Sequence, residues 1–176
     1  CEVASMSMEL LHYPNLDEFY DAEERERAIK QHLRRIPTLL ASVARGDSFQ
    51  HWLYTNPEHT VEERRDRWVE ENERFSPDID YSGIPEEYRR TSWHRVLHFF
   101  QVPFYYIEYG FAQLGALQVA ANAEEDLDSA LEDYQRALSL GSQEDTATLF
   151  ETAGAEFIPS RKRLRGLMDW VRSQLF

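Results

Sequence analysis

The stretch from His98 to Leu114, HFFQVPFYYIEYGFAQL, holds the densest run of aromatic side chains in the chain, and among them an imidazole and three phenols. A buried tyrosine hydroxyl without a partner costs about 1–3 kcal/mol, whereas phenylalanine fills the same space without that demand. Two readings follow. Tyr105, Tyr106 and Tyr109 are core residues bonded to nearby carbonyls, or they point hydroxyls into a cleft with His98 just before them. In the second case the group offers donors that can stabilise an oxyanion.

Few other residues are placed for chemistry. The six histidines stand at positions 12, 32, 51, 59, 94 and 98. No H-E-x-x-H is present, and no Ser–His–Asp arrangement or phosphate-binding loop stands out. His94 and His98 have the four-residue spacing that puts two ligands on one helical face. Such a pair, with no carboxylate close by, is more often structural than zinc-binding.

The elements that must position these groups read as helices throughout. After Pro103 the spacing predicts one helix to about Asn122, with Phe104, Phe111, Leu114, Leu117 and Gln118 on one face and Tyr105, Tyr109 and Ala112 on another. It is apolar nearly all round, as a buried central helix is. Gly110 and Gly115 each cost about 1 kcal/mol inside a helix, so something is expected to approach closely there. Upstream, a helix over the first dozen residues ends before Pro14. A second starts at Asp17 as N-cap, kinks at Pro37 and closes at Gly46. A short helix over DSFQHWLYTNP stops at Asn56-Pro57. Thr60 and Glu63 form a capping box, with Trp68 and Phe75 as the apolar anchors of the helix they open. SPDIDYSGIPEEY is the one long loop, and long loops in compact domains are often functional. Later, Leu127, Leu131, Tyr134 and Leu138 make an amphipathic stripe ended by Gly141. ATLFETAGAEF is a short helix ended by Gly154, and Ser160 caps the last helix. No segment alternates with period two, so the fold class is all-α, a multi-helix bundle in a single domain over residues 1–176.

Composition narrows the function. The chain has 176 residues, 42% hydrophobic and 29% charged, with a formal net charge of −13. A surface this acidic argues against nucleic acid or anionic membrane as partner. No apolar run reaches the roughly 18 residues that a membrane span needs. A single Cys excludes an internal disulfide. Residue 1 is Cys rather than Met, and a helical pattern is already under way at Val3, Met6, Ser7 and Leu10, so further chain is expected ahead of it.

Three segments, EVASMSMELL, HWLYTNP and FYYIEYGFAQLGALQV, closely resemble the C-terminal part of the oligoendopeptidase F family, zinc metallopeptidases of the thimet-oligopeptidase-like group. The resemblance runs over essentially the whole chain. It implies an all-helical, two-lobed architecture around a substrate channel. In that family two His of an HExxH helix and a Glu of a following helix hold zinc. Glu2, in Glu2-Val3-Ala4-Ser5, matches the third ligand. A His and tyrosines hold the peptide backbone and the tetrahedral oxyanion, and His98, Tyr105 and Tyr109 match these, with Tyr106 in reserve.

The HExxH helix would lie before residue 1, and with it two zinc ligands and the general base. The resemblance therefore implies a fragment or subunit of a cytoplasmic zinc oligopeptidase that cuts short peptides and is inactive alone. Its expected partners are a peptide substrate and a polypeptide carrying the HExxH half, or else a second copy of the chain. The other reading is a non-catalytic helical interaction module built on the peptidase scaffold.

Overall fold

With no alternation of apolar and polar residues to favour strands, the backbone closes its hydrogen bonds within helices. The computed structural model describes residues 1–176. It contains α1 (Glu2–Leu11), α2 (Ala22–Thr55), α3 (Val61–Phe75), α4 (Glu86–Thr91), α5 (His98–Gln101), α6 (Glu108–Glu125), α7 (Leu127–Leu140), α8 (Thr146–Thr152) and α9 (Arg161–Ser173). Short 3-10 turns lie at Tyr13–Glu18 and Ser92–Arg95. There is no strand, and the fold is an all-α bundle.

Local chemistry explains most boundaries. Thr60 Oγ1 accepts from Glu63 N at 3.2 Å, and the Glu63 carboxylate accepts from Thr60 N at 2.7 Å, which completes the capping box of α3. Asp126, Asp145 and Ser160 cap α7, α8 and α9 in the same sense. Gly141 and Gly154 end their helices with φ of 58° and 75°, the left-handed region that glycine enters without steric cost.

Three expectations need correction. Asp17 lies in the 3-10 turn and does not cap α2. Asp21 does, accepting from Glu24 N at 2.9 Å. Gly46 does not end a helix, and α2 runs unbroken for 34 residues, through Pro37 and DSFQHWLYT to Thr55. Proline removes one backbone bond, while the fully buried Leu33 and Ile36 hold the turn before it in place. Finally, the central helix begins at Glu108 rather than at Phe104.

The chain divides into two compact units, Cys1–Pro37 with Phe111–Phe176, and Thr38–Gly110. In the first, Val119, Tyr134 and Ala153 form a buried cluster against which Ala4, Leu11 and Ala137 pack. Tyr134 donates to the Ala4 carbonyl at 3.0 Å and so ties α7 to the first turn of α1. The buried Gln118 side chain donates to the Glu156 carbonyl at 3.0 Å and accepts from Glu156 N at 3.1 Å, a backbone-like pairing made by a side chain. A Cβ on Gly115 would come within 2.7 Å of Phe150, so the close approach expected at this glycine is a ring laid on the helix.

The second unit is centred on Phe49, Trp68, Trp93 and Phe99, with Leu53, Val96 and Tyr106 against them. Phe49 meets Trp68 nearly edge-on, with centroids 5.0 Å apart; such pairs add about 0.5–1.5 kcal/mol beyond their burial. The Trp68 indole N–H donates to Ser92 Oγ at 2.7 Å. Glu71 is 1% exposed. It accepts from Ser48 at 2.9 Å, pairs with Arg67, and lies 3.7 Å from Arg74. A charge this deep requires such partners, and breaking a buried pair costs about 3–5 kcal/mol.

Candidate functional site

The aromatic stretch is a helix–turn–helix corner rather than a continuous helix. Pro103 and Phe104 occupy the middle of a turn closed by Tyr105 N donating to the Val102 carbonyl at 3.1 Å. Phe104 has φ 64°, the only non-glycine residue of the chain with positive φ. This is the type II pattern, with proline second and a left-handed residue third, a place normally taken by glycine. Two contacts hold Phe104 there. Its N–H donates to Gln50 Oε1 at 3.0 Å. Its ring lies 5.1 Å from that of His51 and 5.0 Å from that of Tyr54, centroid to centroid.

This corner sets the catalytic candidates side by side. His98 Nε2 lies 3.2 Å from the Tyr109 hydroxyl. The His98 ring stacks on Tyr105, 6° from parallel, and sits 5.3 Å from the ring of Tyr106. Tyr109 meets Tyr105 and Tyr106 edge-on at 5.8 and 6.0 Å. Tyr105 is exposed, while His98, Tyr106 and Tyr109 are half-buried. All four expected residues therefore form one cluster, with an imidazole and a phenol already hydrogen-bonded.

Two glycines permit the arrangement. A Cβ on Gly46 would stand 2.8 Å from Tyr106 Cδ1 and 3.0 Å from Phe99 Cζ. On Gly110 it would stand 2.9 Å from Val43 Cγ2. Gly46 is thus a flat spot on α2 against which Tyr106 lies, not a helix terminator. Gln50, Phe104 and Gly46 carry no chemistry of their own and escape a reading based on motifs. Two signals could have pointed there: Pro103, which favours a turn, and Gln50, a polar residue among aromatics that is almost fully buried.

Glu2 lies in the first unit, half-buried in the first turn of α1, with its carbonyl accepting from Ser5 Oγ at 3.1 Å. The contacts of Ala4 and Leu11 fix that helix. A carboxylate is a suitable donor for zinc. Nowhere in the chain, however, do three His, Cys, Asp or Glu side chains converge as a metal centre. These residues do not by themselves fit a complete zinc site, and Glu2 is at most one donor. His94 and His98 do not share a helix face. Val96, with φ −90° and ψ 90°, breaks the helix between them, and His94 instead meets the Trp93 ring.

The long loop also has a structural explanation. Asp80 accepts from Ser82 N at 2.8 Å. Arg89 lies over the Tyr81 ring at 4.6 Å and donates to Glu73 at 3.1 Å, so its cation is already satisfied. No helix is long and apolar enough to cross a membrane.

No curated protein matches the chain. Among solved structures it is similar to PZ peptidase A with an inhibitor, at 29% identity and a TM-score of 0.88, over 98% of this chain and 31% of that one. It is also similar to a protein from Bacillus anthracis str. Ames assigned as an oligoendopeptidase F, at 27% identity and a TM-score of 0.78, over 99% of this chain and 28% of that one. The chain spans less than a third of the length of either. The model of peptidase family M3 matches residues 1–168; with that match over nearly its whole length, the chain belongs to peptidase family M3.

Proposed function

We propose that these residues form one wall of the peptide-cleaving site of a zinc-dependent oligopeptidase. The observation that carries this reading is the convergence of His98, Tyr105, Tyr106 and Tyr109 on a turn held by Gln50. A phenol O–H is a hydrogen-bond donor, so it can donate to a developing oxyanion. When His98 Nε2–H donates to the Tyr109 oxygen, the Tyr109 O–H is released to point outward and is polarised by the bond it accepts. Tyr105, exposed and stacked on His98, is the second donor, and Tyr106 supports both from behind. Such preorganised donors are worth about 10²–10³ in kcat each.

Glu2 is assigned as one carboxylate ligand of zinc. The HExxH histidines and the general-base Glu belong to polypeptide outside these 176 residues, or to a partner chain. Bound zinc supplies a Lewis acid and a more acidic water. The reading implies short peptides as substrate and a cytoplasmic location.

The test combines the chain with a polypeptide carrying HExxH and measures bound zinc and hydrolysis of short peptides. Glu2→Ala is expected to lose most of the zinc, because one of three protein ligands is gone, while helicity and melting temperature hold. Undiminished zinc in that variant removes Glu2 from the ligand set. Absence of hydrolysis in the combined protein leaves the non-catalytic interaction module as the better reading.

A further inference from the structure

Beside the His98–Tyr105 stack lies a shallow cavity of about 170 Å³, lined by Leu97, His98, Gln101, Val102 and Tyr105. It belongs to the same corner as the candidate site. Leu97 precedes α5, His98 and Gln101 lie on it, Val102 ends it, and Tyr105 follows the turn through Pro103 and Phe104. The Gln50 bond that fixes Phe104 therefore also fixes the far wall of the cavity.

Three properties define what it takes. The volume is well below the roughly 300–1,000 Å³ of a pocket that encloses a whole small ligand, so it suits one side chain. The lining is almost wholly apolar and holds no carboxylate, lysine or arginine, so a charged side chain would lose water there without gaining a partner. Leu97 and Val102 are 58% and 43% exposed, which leaves apolar surface in water next to polar donors. Two of the five lining residues, His98 and Tyr105, are those assigned to grip the peptide backbone.

We infer that this cavity is the subsite for one uncharged aliphatic or aromatic side chain of the bound peptide, beside the bond that is cut. The inference rests on the function proposed above and names its substrate class. Leu97 and Val102 are the specificity-determining residues, and the Gln101 amide at the rim is placed for the peptide backbone.

The experiment uses the complete, zinc-loaded peptidase and a series of short peptides that differ at one position next to the scissile bond: Gly, Leu, Phe, Asp or Lys. Binding of cleavage-resistant Leu and Asp peptides is titrated in parallel. Leu and Phe are expected to exceed Asp in kcat/KM by about tenfold or more, as a single apolar contact allows. Val102→Asp and, as a second variant, Leu97→Asp are expected to collapse the Leu-to-Lys ratio about tenfold, chiefly through KM, while Asp stays a poor substrate. Circular dichroism and melting temperature establish that both variants fold. Cleavage whose side-chain preference is unmoved by both variants overturns the subsite. Leu-selective binding without any cleavage supports the subsite while the proposed catalysis falls, and neither binding preference nor cleavage overturns both.

Discussion

The Phe104 amide donates to the side-chain carbonyl of Gln50, 54 residues earlier in the chain, at 3.0 Å. That bond secures a phenylalanine where the turn asks for glycine, a conformation worth about 1–3 kcal/mol of local strain. Gln50→Leu keeps the bulk and removes the acceptor. It is expected to lower stability by about 1–3 kcal/mol and to speed exchange of the Phe104 and Tyr105 amides. Hydrogen exchange followed residue by residue checks this, and unchanged protection of those two amides would show the turn to be held by its own sequence.

Tyr109→Phe and Tyr105→Phe separate catalysis from packing. Both keep the rings and delete the hydroxyls. In the assembled peptidase, kcat is expected to fall about 10²–10³ with zinc retained and KM little changed. A hydroxyl that only serves the core would instead cost about 1–3 kcal/mol of stability and leave kcat in place. His98→Ala is measured beside them, with melting temperature to account for the packing volume it also removes.

Gly46→Ala is expected to destabilise despite being the better helix former. Alanine in a helix gains about 1 kcal/mol over glycine. The new methyl would stand 2.8 Å from Tyr106 and 3.0 Å from Phe99, and overpacking a ring costs about 1–3 kcal/mol. The rings are part of a buried cluster and have little room to retreat. A lower denaturation midpoint is the expected result, with Gly115→Ala against Phe150 behaving alike. A higher midpoint would mean that the cluster yields more easily than its packing implies.

The Tyr13 hydroxyl lies 2.7 Å from His32 Nδ1, and His32 Nε2 lies 3.5 Å from Glu9 Oε2. Burial, and then the Glu9 carboxylate, hold the Tyr13 phenol far above its ordinary range. It therefore keeps its proton and donates to a neutral His32. Burial pushes the His32 imidazole down; Glu9 opposes this and Arg35 adds to it. Because the folded protein resists protonation here, the stability contribution is present above the unfolded pKa of about 6.5 and is lost as pH falls through the lower folded value. Denaturant midpoints between pH 8 and 5 are expected to fall less steeply in His32→Gln than in the parent. The carboxylates held low by their caps, Glu63 and Asp145, act only in a more acid window.

Much of the fold was legible because its signals are local. Thr60 with Glu63, Ser160, Gly141 and Gly154 each act within a few residues, and all stand where the sequence places them. What escaped depends on distant partners. Gly46 looks like a stop, yet the rings that lie on it belong to tertiary packing. Helix periodicity alone cannot tell that Phe104 turns left-handed, since its acceptor sits on α2. The members of the His98 cluster were legible as residue types, whereas their stacking and the 3.2 Å bond to Tyr109 follow from that turn.

The packing of Phe49 against Trp68 and Trp93 has a spectroscopic consequence. Three of the four tryptophans, Trp52, Trp68 and Trp93, belong to the unit spanning Thr38–Gly110, and only Trp170 lies in the other. Trp68 and Trp93 are buried among rings and sheltered from water. Indole emission is therefore a reporter of the unit that carries His98 and the tyrosines. Its shift to longer wavelength marks the wetting of that aromatic cluster, while helical ellipticity follows both units together, so a gap between the two melting curves would measure how independently the candidate wall comes apart.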